Sequence, residues 1–480
     1  MKTPLVRLCV IVLGVFGWIS AALAQNQTPT VSPILSGADL PFRVSIERAD
    51  FSLPVGLQSY VSAIYQGKWL LLAGRTNGMH DFNDDNNNFP PRMQNTTVYV
   101  VDPARQTVSS KSLADPRSGL TQRQIDLLSV TSPQAYQEGA TLYMTGGYGV
   151  DTATGQFSTK NALTAIYVPG LMHWVEEIVA NETAAQYIRH IFDPIFQVTG
   201  GYMTRAPRNM TLLIFGQNFE GFYVPSASGI YTRQVRRFRI ADDGVTLSFS
   251  PTAHVDTFST PIPPDPNYRR RDLNVVPVVT TTRGLPISSW VALSGVFTLA
   301  GGAWTVPVSI SPLGVPSMAD PSLPGTFKQG MNNYVAPTLG LHSTSGNMYT
   351  VVMGGISFGY FTNGVFQTDG ELPFINQVTT IRIDPQGRFT QYLMDAEYPV
   401  IRSTESNPGN PLLFGAGALF FPSTPLPTFD NGVLQLERLG TAPVVVGHIV
   451  GGIQSTVPNT ARRSDSSASP HIFKVTLIRR

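Results

Sequence analysis

The sequence predicts an all-β protein assembled from six copies of one small antiparallel sheet, and three observations carry that prediction. An apolar strand running straight into a glycine pair occupies residues 141–147 (TLYMTGG), and the pattern returns at 70–74 (LLLAG), 212–216 (LLIFG), 290–295 (WVALSG), 349–355 (YTVVMGG) and 448–452 (HIVGG). Second, only 13% of the 480 residues are charged while 43 are Gly and 38 are Pro, which suits short strands joined by turns and disfavours long helices. Third, the first copy has a strand at 58–65, a tight turn at Gln66-Gly67-Lys68 and an apolar, glycine-terminated strand at 69–74, the signature of a hairpin.

Within that first copy a polar loop, 75–95, leads to strands at 96–101 and 107–112. Four strands in up-and-down order make one propeller blade. A helical stretch at 121–129 precedes the second copy, with strands at 134–137, 141–147 and 162–168. In place of a fourth strand, 171–192 carries Leu171, Trp174, Val175, Ile178 and Val179 at helical spacing. That predicts a helical insertion on the outside, broken near Asn181 with Asn181 or Thr183 as cap.

The third copy has strands at 197–204, 210–216, 232–240 and 245–249, and the fourth at 273–282, 288–297 and 304–310. The fifth has 333–341, 348–355, 378–383 and 389–394. The sixth has 412–421, an insertion at 422–440, then 444–452 and 472–478, and it ends one strand short. An unpaired alternating segment, 42–48 (FRVSIER), waits at the other end of the chain. A closed ring needs it beside 472–478, because closure removes two exposed sheet edges.

The N-terminus reads as a secretory signal peptide over 1–24: Lys2 and Arg7 precede an apolar run at 8–19, and Ala22-Leu23-Ala24 supplies an A-x-A cleavage site. Residues 25–41 read as a flexible lead and 42–480 as a single six-bladed domain. The one cysteine, Cys9, lies in the signal, so the expected mature chain has neither thiol nor disulfide. Net charge is +2 without long runs of like charge, which points away from nucleic acid. The expectation is a monomer, secreted or periplasmic, without a membrane span after cleavage.

The strands ending in Gly-Gly, TLYMTGGYG and MYTVVMGGISFG, resemble the secreted kelch-type β-propellers of bacteria, including the galactose-oxidase-like group. The resemblance implies a closed ring of antiparallel four-stranded blades. Its activities range from oxidases and sugar-acid epimerases to binding scaffolds, so fold alone does not select one. The copper-radical oxidases of the group need a cysteine joined to a tyrosine, which the mature chain lacks.

In such a ring the loops after the glycine strands converge on one axial face. Arg75, Asn77, His80 and Asp81 follow the first glycine closely enough to bind and polarise a polyhydroxylated or carboxylated ligand, or to hold neighbouring backbone. Tyr148, Gln217, Asn218 and Gln454 stand just after later glycines, and Asn333 and Asp272 at the starts of copies. Arg271 could pair with a uronic or sialic carboxylate, or pin its own copy through Asp272. Glu220 is the candidate acid or base. Asp81, Asp84 and Asp85 form an oxygen-rich cluster of the kind Ca²⁺ uses, but the order is not an EF-hand loop; a solvated loop is preferred and no cofactor is expected. The seven histidines make no H-x-x-H or HExxH pattern. The expectation is therefore a binding module for a carbohydrate or an extracellular protein. The alternatives are a cofactor-independent enzyme on sugar acids, with Arg271 orienting and Glu220 or His80 moving the proton, and a structural envelope component.

Overall fold

The computed structural model describes residues 31–480 apart from 84–85, 225–226, 252–258 and 283–284. The signal peptide expected at 1–24, together with Asp84 and Asp85 of the oxygen-rich cluster, lies outside the described residues.

The protein is an all-β propeller of four-stranded antiparallel blades with few helices. The first sheet runs Val61–Tyr65, Lys68–Leu72, Thr97–Asp102 and Thr107–Ser112. The second runs Gln134–Glu138, Thr141–Thr145, Ala162–Tyr167 and Ile188–Phe192. In the third, Tyr202–Ala206, Met210–Ile214, Val235–Asp242 and Leu247–Pro251 are joined by Ser259–Thr260 as an extra strand. The fourth comprises Val275–Thr282, Leu285–Ala292, Val308–Ile310 and Pro316–Met318. Thr338–His342, Met348–Ile356, Phe374–Ile383 and Phe389–Glu397 form a further meander, extended at its edges by two parallel strands, Ile34–Ser36 and Leu434–Gln435. The last sheet is Ala418–Pro422, Val444–Gly451 and His471–Arg479, with Phe42–Ser52 on its outer side.

Six uniform four-stranded blades were expected, and the sheets depart from that. Five of them have four or five strands, while the sheet around Met348–Ile356 has six. Its extra strands come from chain segments on either side in sequence, each finding a free edge that backbone pairing can satisfy. One consequence bears on the lead expected at 25–41, of which residues 31–41 are described: Ile34–Ser36 pairs in register with Gln391, Tyr392 and Leu393.

The helical insertion expected over 171–192 is also corrected. A helix covers only Val168–Glu176, ending at Glu177 in the left-handed region (φ 53°). Ile188–Phe192 is instead the outer strand of the second sheet, Thr164 facing His190. The helical periodicity was real but local, and an open sheet edge captured the rest. The fourth strand Pro316–Met318 was missed because a three-residue strand carries no readable period.

The core lies between sheets. Leu70 and Val98 of the first pack with Leu142 and Met144 of the second; Leu163 and Ala165 meet Met203 and Leu213 of the third. Leu212 and Val235 pack on Val275 and Trp290, and Val278 and Val291 on Val352 and Ile381. Val351 and Val378 contact Phe473 and Phe42, and Val450 and Ile472 of the last sheet meet Trp69 and Leu71 of the first. Each such buried side chain contributes on the order of 1.5–3 kcal/mol. The terminal strand Phe42–Ser52 belongs to this core: Phe42 pairs with Arg479 and Arg48 with Phe473, burying Phe42, Val44 and Ile46. Among the described residues no helix is long and apolar enough to cross a membrane.

The glycine pair has a steric cause. Gly147 donates its N–H to the Val198 carbonyl at 2.8 Å. Gly146 sits at φ 64°, and a Cβ there would lie 1.8 Å from that same oxygen. Only glycine lets the end of one sheet touch the start of the next so closely.

Candidate functional site: the axial cavity

Each of those glycines is followed by a residue whose backbone bonds to the start of its own sheet. Gln58 and Arg75 exchange both backbone hydrogen bonds, as do Thr131 with Tyr148, Thr199 with Gln217, and Arg271 with Val296. Tyr334 donates to Ile356, and Ile453 to Ala416. One residue further on the chain turns through the left-handed region: Ser59, Ser132, Gly200, Asp272, Val335 and Gly417 have φ between 49° and 68°. For Val335 that conformation is strained, because its branched Cβ crowds the backbone there.

These turning residues form a waist. Ser132 N–H donates to Ser59 O, Gly200 to Ser132, Asp272 to Gly200, Gly417 to Val335, and Ser59 to Gly417, at 2.7–3.1 Å. Between Asp272 and Val335 a side chain takes over. Asn274 Nδ2 donates to Asn333 O at 2.7 Å and its Oδ1 accepts from Ala336 N–H at 3.1 Å. The waist residues line two cavities, one of about 160 Å³ on the side of the long loops and one of about 390 Å³ on the other.

The smaller cavity has an unequal wall. Gln58, Arg75, Thr131, Thr199, Gln217 and Arg271 supply polar groups on one arc, interleaved with Phe89, Phe219 and the Tyr148 ring. Val296, Tyr334, Ile356, Ala416 and Ile453 make the opposite arc apolar, backed by Phe297 and Met79 in one cluster. Arg271 is the hinge between them. Its guanidinium pairs with Asp272, receives support from the Tyr231 hydroxyl at 3.0 Å and the Tyr223 hydroxyl at 3.2 Å, and faces the Phe297 ring at 5.3 Å. Burial pulls the Arg271 pKa down, but Asp272, Tyr223 and Tyr231 overcome this and hold it above its usual value. Burial pushes the Tyr334 hydroxyl well up, so it stays protonated.

Arg75 is 2% exposed and is held by Asn77 Oδ1 at 2.9 Å, the Pro90 carbonyl at 3.0 Å and the Phe89 ring at 5.0 Å. Burial lowers its pKa to about 10. His80 packs against Phe82, Phe89 and Tyr223 at 4.6–5.0 Å. Its Nδ1 lies 2.8 Å from the Asp81 carbonyl, which can only accept, so that nitrogen carries the proton. Burial drives its pKa down to about 4, opposed by that hydrogen bond and reinforced by the charges of Arg271 and Arg75. The ring is neutral at pH 7.

Of the residues singled out in the sequence, Arg75, His80, Tyr148, Gln217, Arg271 and Asp272 line this cavity. The others do not. Glu220 is exposed and accepts from Gln197 Nε2 at 2.5 Å, so it is not brought to His80 or Arg271. Asp81 pairs with Arg463, and Asn77 braces Arg75. Asn333 is fully buried, donating to the Gly354 carbonyl at 2.8 Å. Gln454 donates to Ser467 Oγ at 3.0 Å, and Asn218 pairs through its backbone with Ile230. Tyr148 turns its hydroxyl to the Gly221 carbonyl at 2.7 Å, which leaves its ring as the useful surface. Among the described residues no group of three or more His, Cys, Asp or Glu side chains is placed to hold a metal ion. The sequence reading missed Tyr223, Tyr231, Tyr334 and Phe297. Ile356, also missed, was within reach, since it follows Gly355 as Arg75 follows Gly74.

No family model matches the chain, and no curated protein does. A solved chain titled "Structure of YjhT" is 10% identical with a TM-score of 0.42, over 89% of this chain and 98% of that one.

Proposed function

We propose that the protein is an exported, kelch-type propeller that binds a carbohydrate in its axial cavity through a single sugar-sized ring. The observation that carries this reading is the split wall. A pyranose has an apolar C–H face and a polar hydroxyl edge, and this cavity offers it an apolar arc at Tyr334, Ile356 and Ile453 opposite a polar arc at Gln58, Gln217 and Arg271. A cavity of about 160 Å³ favours one ring over an extended protein surface. Because the Arg271 guanidinium is taken up by Asp272 and two tyrosines, neutral sugars are preferred to uronic or sialic acids. Proton transfer on sugar acids is less well supported, since His80 is neutral and hydrogen-bonded to backbone and Glu220 stands off the wall.

The test is ligand-observed NMR with a panel of neutral hexoses, uronic acids and sialic acid. Saturation transfer to a neutral hexose that disappears in Ile356→Asn is expected. Transfer to none of the panel, or to the acids alone, would overturn the reading.

We also infer a ring of six blades sewn shut by Phe42–Ser52, with the six-stranded sheet as one of the six. The run of hydrogen bonds around the waist and the packing of the last sheet on the first support it. A chain beginning at residue 53 should lose cooperative unfolding; an unchanged melting transition would exclude closure by this strand.

A further inference from the structure

Away from the axis, a third cavity of about 240 Å³ opens where the second sheet's long hairpin meets the helix Gln122–Leu128. Its wall holds Arg123, Asp126, Asp151, Lys160, Phe192 and Gln197. Lys160 is 8% exposed. Its backbone N–H is fixed on the Gly147 carbonyl at 2.9 Å, directly beside the glycine pair that ends the blade. The side chain is therefore placed by the framework of the fold.

Among the described residues no acceptor meets the ammonium of Lys160 or of Lys328, and of the two only Lys160 is buried. Among the described residues it makes no side-chain hydrogen bond, and no carboxylate oxygen comes within 4.0 Å of it, whereas Lys68, Lys111 and Lys474 each have one. Asp126 is committed elsewhere: Oδ1 accepts from Gln122 Nε2 at 2.9 Å and Thr152 Oγ1 at 2.7 Å, and Oδ2 from Thr152 N–H at 2.8 Å. Asp151 Oδ1 accepts from Thr154 N–H and Oγ1, both at 3.0 Å. Their fields reach Lys160, as does that of Glu220, but only as distant charges. The stem of Lys160 is buried while its ammonium opens into the cavity, where a ligand has room to partner it.

We propose that this cavity is a second ligand site, taking a small carboxylate whose oxygens pair with the Lys160 ammonium. The charges on the wall select a monoanion. Arg123 and Lys160 are offset by Asp126 and Asp151, so a carboxylate adds one negative charge next to an unpaired cation. A phosphate dianion would crowd two charges against two fixed carboxylates. Arg123 sits over the Phe192 ring at 4.6 Å, and the two together close one side of the cavity. The site is independent of the axial reading and survives its failure.

The full chain has six lysines, so ¹³Cε-lysine labelling gives a spectrum in which Lys160 is assigned by its absence from Lys160→Met. Titration with acetate and propionate at constant ionic strength is expected to shift the Lys160 signal saturably while leaving the others in place. Inorganic phosphate should act at least tenfold more weakly. The same carboxylates should raise the melting temperature of the native chain but not of Lys160→Met. Should that variant fail to fold, Lys160→Gln supplies the assignment and the comparison instead. No saturating shift with either carboxylate, phosphate binding at least as strong as theirs, or a carboxylate-induced rise in melting temperature that persists in Lys160→Met would overturn the proposal.

Discussion

The two arcs of the axial cavity share one backbone pattern, interrupted between Asp272 and Val335 where Asn274 takes over, and differ in the side chains they place on it. Gln58 with Arg75 and Tyr334 with Ile356 occupy corresponding positions, one residue before the waist and one after the glycine. Yet the first pair is polar and the second apolar. The ring thus offers the same address in every sheet, and the chemistry of the cavity is decided by what each copy places there. The hydrogen bonds that hold the address are between backbone groups, so side chains at it are free to diverge without loss of the fold. Asp272 has a further constraint, because it is both a waist residue and the partner of Arg271.

That contrast can be broken most severely at its hinge. Arg271→Ala leaves the Asp272 carboxylate without its cation and removes the support of Tyr231 and Tyr223, and should cost about 3–5 kcal/mol by urea unfolding. The double variant Arg271→Met with Asp272→Asn should recover part of that loss, since no unpaired charge remains. Equal destabilisation of single and double variants would mean that the pair is not what matters.

On the apolar arc, Ile356→Ala should cost about 2 kcal/mol, the low end for burial of this kind, because the side chain already borders a cavity. It should weaken ligand binding through lost contact while leaving Arg271 in place. A loss as large as that of Arg271→Ala would erase the distinction between the arcs.

The smallest effect is a slope. The folded-state pKa of His80, about 4, lies below its ordinary 6.5. The unfolded chain therefore takes up the proton first, and the stability His80 contributes is full above pH 6.5 and is lost as pH falls towards 4. His190 and His471, also lowered to about 4 by burial, act in the same window. His80→Phe should make the unfolding midpoint less dependent on pH between 6.5 and 4 than in the native chain. An unchanged slope would mean that His80 is not buried neutral.

Strand repetition was legible because each copy buries both faces of its second strand, and residues such as Leu70, Leu71 and Leu72 then spell an unbroken apolar run. The match of Phe42–Ser52 to the last strand could be anticipated for a related reason. An alternating segment with one buried face, Phe42, Val44 and Ile46, must find a sheet edge. Ile188–Phe192 was hidden because helix and strand patterns overlap in a short amphipathic segment, and only the free edge beside Ala162–Tyr167 decided between them. The cavity was half legible. Residues just after the glycines were found by position, but Glu220, four residues beyond its glycine, is drawn off the wall by its bridge to Ser158, and Gln454, two beyond, by its hairpin with Ser467. Tyr223 and Tyr231 reach Arg271 from the far end of a loop whose length says nothing about where it folds back.

By itself the sequence determined the class of the fold and where its sheets end, since burial periodicity and the steric demand for glycine are local and are written in consecutive residues. Only the tertiary structure decided which side chains share a cavity, that Arg271 is already engaged, and that Lys160 meets no acceptor among the described residues. Those are relations between segments up to hundreds of residues apart, set by sheet-on-sheet packing, and no local pattern encodes them.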